Sequence, residues 1–377
     1  MPAATAAAAA AAASHRSWSG GGTTRRCCVE LLLVQRATMP AVTGVEVVRA
    51  NFRNLPFFTA AIALLLAVPV QTSQQLLEAA ATGDLETVQW ELSWGLTKSR
   101  ADPNFIGSKK EGSNAPLHLA KTASIVSALV DAGAVLDIRD ENGWTPLHVA
   151  TSTGNLDVTQ ALVRAGANVN EAVEALPSGS LPGKAEGGAM ALHMATWREN
   201  AEMITVLLEA GADIEAQLQD GRRPLHIACS DDSVLADQTL GDSDAAVLTL
   251  IQAGAQLEVS DVAGKRPLHW AAQSGVAKSV AYLIEAGADV DAPTAKTGLR
   301  ALHLAAKNGH TTAAAVAIAA GADLNAPASN TWTALHFAAA NGHSSVVAVL
   351  IGERENIELN ARNRQGWTPL HLAIAQR

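Results

Sequence analysis

Aromatic residues, charged residues and cysteines are all scarce in this 377-residue sequence. Aromatic residues make up 4% and charged residues 17%, whereas hydrophobic residues make up 48%. That apolar content supports a packed core and excludes an ordinary disordered acidic chain for most of the sequence. Cys27 and Cys28 are adjacent and Cys229 stands alone, so the sequence provides neither a disulfide scaffold nor a four-cysteine zinc site.

The net charge is negative but unevenly distributed. Residues 1–70 contain six Arg and two Glu, a charge of +4, and since the whole chain has a charge of −9, residues 71–377 hold −13. The negative charge of residues 71–377 argues against a general nucleic-acid-binding surface. We therefore expect no nucleic-acid partner.

The sequence also lacks an apolar run long enough for an ordinary membrane-spanning helix. Residues 55–70 form an uncharged run of sixteen residues with two prolines, short of the ~20 residues that spanning requires. Basic residues precede the run and a polar break follows, a pattern typical of a secretory signal if translation starts at Met39. A signal anchor, an organelle transit segment and an apolar linker are the alternatives.

These features divide the N-terminal part of the chain into two predicted segments. Residues 1–54, with a long Ala run and a Gly run, are predicted to be disordered low-complexity sequence or a targeting N-terminus, and residues 55–73 to be the apolar segment. If residues 55–70 act as a signal or anchor, we expect the secretory pathway or membrane anchoring; otherwise we expect a cytoplasmic protein.

A Leu-His pair recurs through the rest of the chain. It begins at residues 117, 147, 192, 225, 268, 302, 335 and 370, and a degenerate copy begins at Leu76. Four of the eight successive spacings lie within two residues of 33, and local insertions or a deletion account for the others. The sequence is therefore an array of repeats of about 33 residues.

One of the best-formed copies, GWTPLHVATSTGNLDVTQALVRAGANVN from Gly143, predicts two short helices separated by turns. Thr145 is suited to the N-cap and Pro146 to the first position of the first helix. Gly154 ends that helix, an apolar stripe predicts a second one, and Gly166 provides a left-handed exit from it. The preceding Asp-Glu-Asn-Gly has the chemistry of a hairpin turn.

The recurrence in register of a TPLH-like start, an Ala pair, a Val/Leu stripe and Gly-Ala-Asp-Val-Asn resembles the ankyrin repeat family. The resemblance covers residues 74–377, about four-fifths of the chain. It implies an all-α fold, an ankyrin-type solenoid of helix-turn-helix repeats with short β-hairpin loops. About nine repeats are expected, with a capping first copy and an incomplete last one. Stacking must provide the stability, because each unit buries little surface alone.

Several copies depart from the pattern. The second repeat is short and lacks the glycine between its helices, which predicts a tightened helix-helix loop. Insertions lie between Asn170 and Leu192 and over Ser230–Ala245; the latter has five Asp but not the order of a calcium loop, and is predicted to be a solvated acidic loop. Gly352 to Glu355 replaces the usual Gly-Ala-Asp, so the exit of that helix should be irregular.

The sequence contains few candidates for chemistry. Eight of the eleven His lie in the Leu-His pairs, each in a different repeat without Cys or carboxylate at ligand spacing, and the resemblance implies that they bridge neighbouring turns by hydrogen bonds. Cys229 is predicted to be a buried small residue. No catalytic or phosphate-binding motif occurs. We therefore predict that the protein is not an enzyme and has no metal site and no cofactor.

The resemblance implies that partners contact the hairpin tips and the exposed side of the first helices. Large aromatic and basic residues at these positions are candidate anchors, although each Trp could instead pack on an adjacent hairpin. The candidate partner-binding residues are Trp144, Trp197, Arg198, Arg222, Lys265, Arg266, Trp332 and Trp367.

A basic ladder is the second binding feature. Arg223, Arg266 and Arg300 replace the capping Thr in three consecutive repeats, and Arg222 and Lys265 precede two of them. Such a stripe could recruit an acidic or phosphorylated segment of a partner. The alternative is that these charges pair with acidic residues of nearby hairpins.

The predicted function is that of a non-enzymatic scaffold that presents a concave surface to unidentified protein partners. One alternative is the targeting or regulatory portion of a larger enzyme or membrane protein, since the last repeat stops after its first helix. Another is a structural spacer. The fold alone names no partner.

Overall fold

The computed structural model describes residues 72–93, 101–107, 113–173, 187–230, 243–353 and 356–375. All of them fall within one compact unit, Ala67–Arg377. The apolar run 55–70 and most of both insertions lie outside the described residues, so the predictions about them stay predictions. Among the helices that are described, none is both long and apolar enough to cross a bilayer.

The helices alternate between the two positions of the repeat. The first helices are α1 (72–82), α3 (Pro116–Leu119), α5 (Pro146–Thr153), α7 (Ala191–Trp197), α9 (Pro224–Ala228), α11 (Pro267–Ser274), α13 (Ala301–Asn308), α15 (Ala334–Ala340) and α17 (Pro369–Ala375). The second helices are α2 (Leu85–Ser93), α4 (Ala123–Asp131), α6 (Leu156–Ala165), α8 (Ala201–Glu209), α10 (Ser243–Gln252), α12 (Ala277–Glu285), α14 (Thr311–Ala319) and α16 (Ser344–Gly352).

The predicted helix boundaries of the copy that begins at Gly143 are confirmed. The Thr145 hydroxyl accepts a hydrogen bond from the backbone N–H of His148, and Pro146 opens α5. Gly154 and Gly166 end α5 and α6 with φ of 77° and 96°. Left-handed glycines at both exits let the chain reverse within a few residues, so the two helices of one repeat pack side by side.

Successive repeats stack so that equivalent helices lie next to each other. First helices pack on first helices and second helices on second helices along the array, and their apolar residues form one continuous core from Leu76 to Leu350. The leucine of the Leu-His pair and the stripe of the second helix supply its largest side chains, such as Leu147 and Leu162. The Ala pair, for example Ala305 and Ala306, is fully buried and allows neighbouring helices to approach closely.

The hairpin turns close as predicted, but they do not form strands in the described residues. The backbone N–H of Asp140 donates to the carbonyl of Trp144 (2.9 Å), and that of Asp261 donates to the carbonyl of Lys265 (2.9 Å). The chain enters the N-cap of the next helix directly afterwards, which leaves no length for a ladder. Strand-like pairing in the described ranges is limited to one bridge, Val173 with Ala189.

Polar side chains tie the turns of neighbouring repeats together. The Asn170 side-chain oxygen accepts the backbone N–H of Asp213 (2.8 Å), and Glu215 in turn accepts the N–H of Gln256 (2.8 Å). The same type of bond joins Glu258 to the N–H of Asp289 (3.0 Å). These bonds provide acceptors for backbone N–H groups that would be unpaired, since the turns form no β-ladder.

The second and eighth repeats depart from the regular pattern. In the second repeat the deletion shortens the first helix, α3, to four residues, while three residues still separate α3 from α4. The prediction of a tightened loop is therefore wrong, because one helical turn is easier to remove than a helix reversal. In the eighth repeat Glu353 at the C-cap of α16 has φ −83°, like Ala320 with φ −80° at the C-cap of α14. The next two residues lie outside the described part of the chain, so the irregular exit stays a prediction.

Candidate partner-binding face

The histidines of the Leu-His pairs form structural bridges, as predicted. Nδ1 of His148 accepts the backbone N–H of Thr145 (3.2 Å). Because Nδ1 is an acceptor, Nε2 holds the ring proton and donates it to the carbonyl of Glu171 in the next turn (3.0 Å). Burial lowers the pKa of His148 to about 4, so the ring is neutral at pH 7. The same pair of bonds recurs at His193, His269 and His303.

Metal ligation and thiol chemistry find no support in the described part of the chain. No group of three or more His, Cys, Asp or Glu that could hold a metal ion occurs there. Cys229 is fully buried, and burial raises the pKa of its thiol, so the prediction of a buried small residue is confirmed.

We call the hairpin tips together with the exposed side of the first helices the first-helix face. Of the eight candidate residues, Trp367 is exposed (45%) and Arg222 is buried (3%). The others are half-buried and engaged by neighbouring residues to different degrees: Trp144, Trp197, Arg198, Lys265, Arg266 and Trp332.

Trp144 and Trp197 belong to a small apolar cluster that is separate from the main core. They pack against Met194, Leu218 and Ile227, together with the bridged pair of the preceding turn. Both indole Nε1 atoms are buried and lack a hydrogen-bond partner. The cluster brings these two Trp together from neighbouring repeats, and much of their surface packs within the protein.

Arg198 acts as a bridge between repeats. Its Nη1 donates to the carbonyl of Ser152 at the end of α5 (2.5 Å). His310 and His343 make the same contact in later repeats, from Nε2 to the carbonyls of Gln273 (2.9 Å) and Lys307 (3.0 Å). Cationic or polar groups at this place satisfy a carbonyl that the C-terminus of a helix leaves free.

Lys265 and Arg222 both contact Trp270. The Lys265 Nζ lies 4.6 Å and the Arg222 guanidinium carbon 5.5 Å from the centre of the indole ring. Both distances suit cation–π attraction. Arg222 also donates from Nε to Asp220 (2.7 Å), which compensates the charge that its burial removes from water. The side chain of Lys265 donates to Oε1 of Gln273 (2.5 Å).

Trp332 and Trp367 sit differently near the C-terminal end of the array. The Trp332 ring lies 5.1 Å from that of Phe337 and 6.1 Å from that of His336, so it packs on its own first helix. Trp367 is accessible, and its backbone N–H donates to Asn363 (2.9 Å). Trp367 is therefore the candidate whose indole is most available to a partner.

The arginines of the basic ladder are paired with acidic residues of their own turns. Arg223 forms an ion pair with Glu215, and Arg266 forms one with Glu258. Arg300 donates from Nε to the carbonyl of Asp291 (2.8 Å). The alternative considered for these residues, pairing with hairpin acids, is confirmed for Arg223 and Arg266. It is confirmed as well for Arg222 with Asp220 (2.7 Å) and for Arg300 with Asp291 (4.0 Å).

Sequence reasoning missed Trp270. Its indole Nε1 donates to Asp261 (3.0 Å) and its ring contacts two cations. The signal was present: Trp270 follows the Leu-His pair, at the register of Met194, Ile227 and Phe337, which all face this side. Apolar residues at that register are common in packed cores, and only the structure shows what lies against the ring.

Paired helices that stack in register and share an aromatic and cationic face define a helical repeat scaffold. A family model described as ankyrin repeats (3 copies) matches residues 76–173, 192–294, 235–328 and 302–377, which is more than half of the chain. The chain belongs to the ankyrin repeat family.

Curated relatives share short stretches with the chain. RelA-associated inhibitor of Mus musculus is 39% identical over 97 residues, 25% of this chain and 11% of that protein. NF-kappa-B inhibitor alpha of Gallus gallus is 36% identical over 72 residues, 18% of this chain and 23% of that protein. Protein phosphatase 1 regulatory subunit 27 of Mus musculus is 41% identical over 64 residues, 17% of this chain and 40% of that protein.

The matched part of the chain thus spans less than half the length of each of these relatives. Among solved structures, a crystal structure of the ankyrin repeat domain of Bcl-3 is similar with a TM-score of 0.49 and 27% identity. The match covers 62% of this chain and 95% of that one.

Proposed function

We propose that the repeat array is a non-enzymatic protein-binding module that holds its partner on the first-helix face. The observation on which the proposal depends is the accessible Trp367 on a face that also places Trp270 beside two cations. Large aromatic residues are enriched among the anchors of protein interfaces.

The relatives support a protein-interaction role. Two of them are named as inhibitors and one as a regulatory subunit, so their names describe proteins that act on other proteins. The stack itself is suited to such a role, because a continuous core from Leu76 to Leu350 makes successive turns present their side chains at regular intervals. Targeting of a larger enzyme and a purely structural spacer are the competing functions.

Affinity capture tests the proposal with matched tryptophan variants. The full chain, the double variant Trp332→Ala/Trp367→Ala and the single variant Trp90→Ala are immobilised and exposed to native extract, and retained proteins are identified by mass spectrometry. Trp90 is a fair control because it is 52% exposed and lies on the second helix α2. Circular dichroism verifies that each variant is folded.

We expect at least one protein to be retained by the wild type and by Trp90→Ala and lost from the double variant. Equal retention on all three would reject the first-helix face as the binding surface. If none of the three retains a specific protein, the spacer function is favoured.

A further inference from the structure

The first-helix face contains two lysines, Lys265 and Lys307, that make no ion pair in the described part of the chain. We define the Lys265–Lys307 cluster as Val262, Lys265, Trp270, Gln273 and Lys307. Val262 stands at the tip of the turn before α11 and is 63% exposed, and Lys307 stands exposed near the end of α13. The Asn308 side chain donates to the backbone carbonyl of Gln273 (3.3 Å), which places the two helix ends in contact.

The two nearby carboxylates accept hydrogen bonds from groups other than the lysine ammonium groups. One oxygen of Asp261 accepts the backbone N–H of Lys265 (2.8 Å), and the other accepts the indole N–H of Trp270 (3.0 Å). Asp220 binds both the backbone N–H and the Nε of Arg222 (3.0 and 2.7 Å). Neither carboxylate makes an ion pair with a lysine of the cluster.

The two lysines retain unused hydrogen-bond donors. Lys265 Nζ makes one hydrogen bond, to the neutral amide oxygen of Gln273, which uses one of the three donors of an ammonium group. In the described ranges the Lys307 ammonium has no ion-pair or hydrogen-bond partner. Burial and the positive charge of Lys307 both lower the pKa of Lys265, while Asp261 raises it. An anion between the two lysines would relieve their repulsion.

The cluster complements an acidic segment that also carries apolar side chains. The guanidinium of Arg222 is buried and engaged by Asp220, so the cluster offers ammonium groups, which attract an anion as point charges. The Trp270 ring lies beside Lys265, and the exposed Val262 belongs to the turn that leads into Lys265. A Glu or Asp next to an apolar residue matches both the charge and the apolar surface.

We infer that the Lys265–Lys307 cluster binds a Glu or Asp carboxylate of an extended partner segment, with a neighbouring apolar side chain of that segment against Val262 and Trp270. The inference rests on the proposed function and specifies the partner chemistry at one place on the first-helix face. The acidic segment lies between the two ammonium groups, where it replaces water around partly buried Lys265.

Peptide binding to the full chain tests the inference. The probe is a short acetylated, fluorescein-labelled peptide of alternating Glu and Leu, and fluorescence anisotropy measures its dissociation constant. A peptide with Gln in place of Glu tests the need for charge, and one with phosphoserine in place of Glu distinguishes phosphate from carboxylate. The protein variants are Lys307→Gln, Lys265→Gln and Trp270→Leu.

Arg164→Gln is the matched control variant, since Arg164 is an exposed cation on the second helix α6. We expect the Glu peptide to bind the wild type and Arg164→Gln equally. Lys307→Gln, which alters a side chain without internal partners, should weaken binding about tenfold, and so should replacement of Glu by Gln in the peptide.

Three results would overturn the inference: no binding of the Glu peptide, equal binding of the Glu and Gln peptides, or preference for the phosphoserine peptide. None of them affects the proposed function, because capture of a protein through Trp332 and Trp367 does not depend on these lysines. If the double tryptophan variant retains the same proteins as the wild type while Lys307→Gln weakens binding of the Glu peptide, the tryptophan anchors are rejected and the acidic-segment site is supported.

Discussion

Each buried histidine links its repeat to the next one by hydrogen bonds from a single ring. His269 receives the backbone N–H of Arg266 on Nδ1 (3.0 Å) and donates from Nε2 to the carbonyl of Ala292 (2.9 Å). One ring thus provides a hydrogen-bond partner for a backbone N–H at the start of its own helix and for a backbone carbonyl in the following turn. The bond to the Ala292 carbonyl is buried and the bond from the Arg266 N–H is partly buried, so water replaces them poorly when the ring is removed.

His269→Ala is expected to lower the free energy of unfolding by about 2–5 kcal/mol, because each abandoned buried partner costs about 1–3 kcal/mol. Urea unfolding followed by circular dichroism measures the change. His371→Ala is the matched control: it occupies the same motif, is exposed, and bonds through Nδ1 to Thr368 (3.1 Å). Its expected effect is below about 1 kcal/mol; equal losses in the two variants would contradict the bridging role.

Helix ends are built jointly by two neighbouring repeats. Gly275 ends α11 with φ +81°, and a Cβ at this position would clash with the ring of His310, the N-cap residue of α14 in the next repeat. Gly287 follows α12 with φ +100° and has nothing within 4 Å of such a Cβ. The first glycine is needed for backbone conformation and for space, and the second for conformation alone.

Gly275→Ala should therefore destabilise the protein more than Gly287→Ala. The left-handed conformation costs an alanine about 1–2 kcal/mol at either position, and the His310 ring adds a steric penalty at residue 275 only. Free energies of unfolding from urea titrations provide the comparison. Combining Gly275→Ala with His310→Ala should give less than the sum of the two single effects; strict additivity would disprove the steric contact.

The arginines at helix N-caps point to a second effect at the element scale. Arg266 precedes α11 without a side-chain cap bond, whereas Thr145 at the same register accepts the His148 N–H. Arg266→Thr should raise the free energy of unfolding by about 0.5 kcal/mol, because a Thr cap contributes about 1 kcal/mol and an exposed ion pair such as that with Glu258 less. Thermal or urea unfolding checks this against Arg266→Ala; a Thr variant no more stable than the Ala variant would refute it.

At the scale of the whole molecule, the repeated histidine bridges make the array sensitive to acid. Burial lowers the pKa of five of these rings to about 4: His148, His193, His226, His269 and His303. The unfolded chain, with pKa values near 6.5, binds more protons than the folded chain between these limits. Stability is therefore complete above pH ~6.5 and declines as the pH falls toward 4.

We expect the free energy of unfolding to fall steeply between about pH 6.5 and pH 5, since each ring contributes up to about 1.4 kcal/mol per pH unit. Urea titrations at several pH values measure the slope. His303→Gln removes one titrating ring and should give a shallower slope than the wild type, even if its stability is lower throughout. A free energy that does not change over this range would show that the rings do not titrate with folding.

Much of the fold was predictable because each repeat contains the same local signals for where a helix begins and ends. Thr145, Pro146 and Gly154 define a helix by capping, fixed φ and a left-handed exit, and these effects depend on neighbours within one turn. The second repeat was predicted less well. Its deletion was visible, but whether a loop or a helix would shorten depended on how α3 and α4 pack on neighbouring repeats.

The binding face was predicted less completely than the fold. The tip positions were found from the motif, yet Arg222 is buried against Trp270 and Asp220, and Arg198 bonds to a carbonyl of the preceding repeat. Trp270 and Ser152, unlike Asp220, lie more than forty residues away from these arginines along the chain. Repeat spacing shows which residues share a register, but not how far a long side chain reaches into the next repeat.

By itself the sequence determined the repeat period, the helix pairs, the structural histidines and the membership in the ankyrin repeat family, because those features arise from contacts within one repeat or between identical registers. Only the tertiary structure decided which side chains of the first-helix face are free. Exposure depends on the particular residues that adjacent repeats place against each other: Trp367 remains accessible, Arg222 does not, and the Lys265–Lys307 cluster arises where two neighbouring repeats meet.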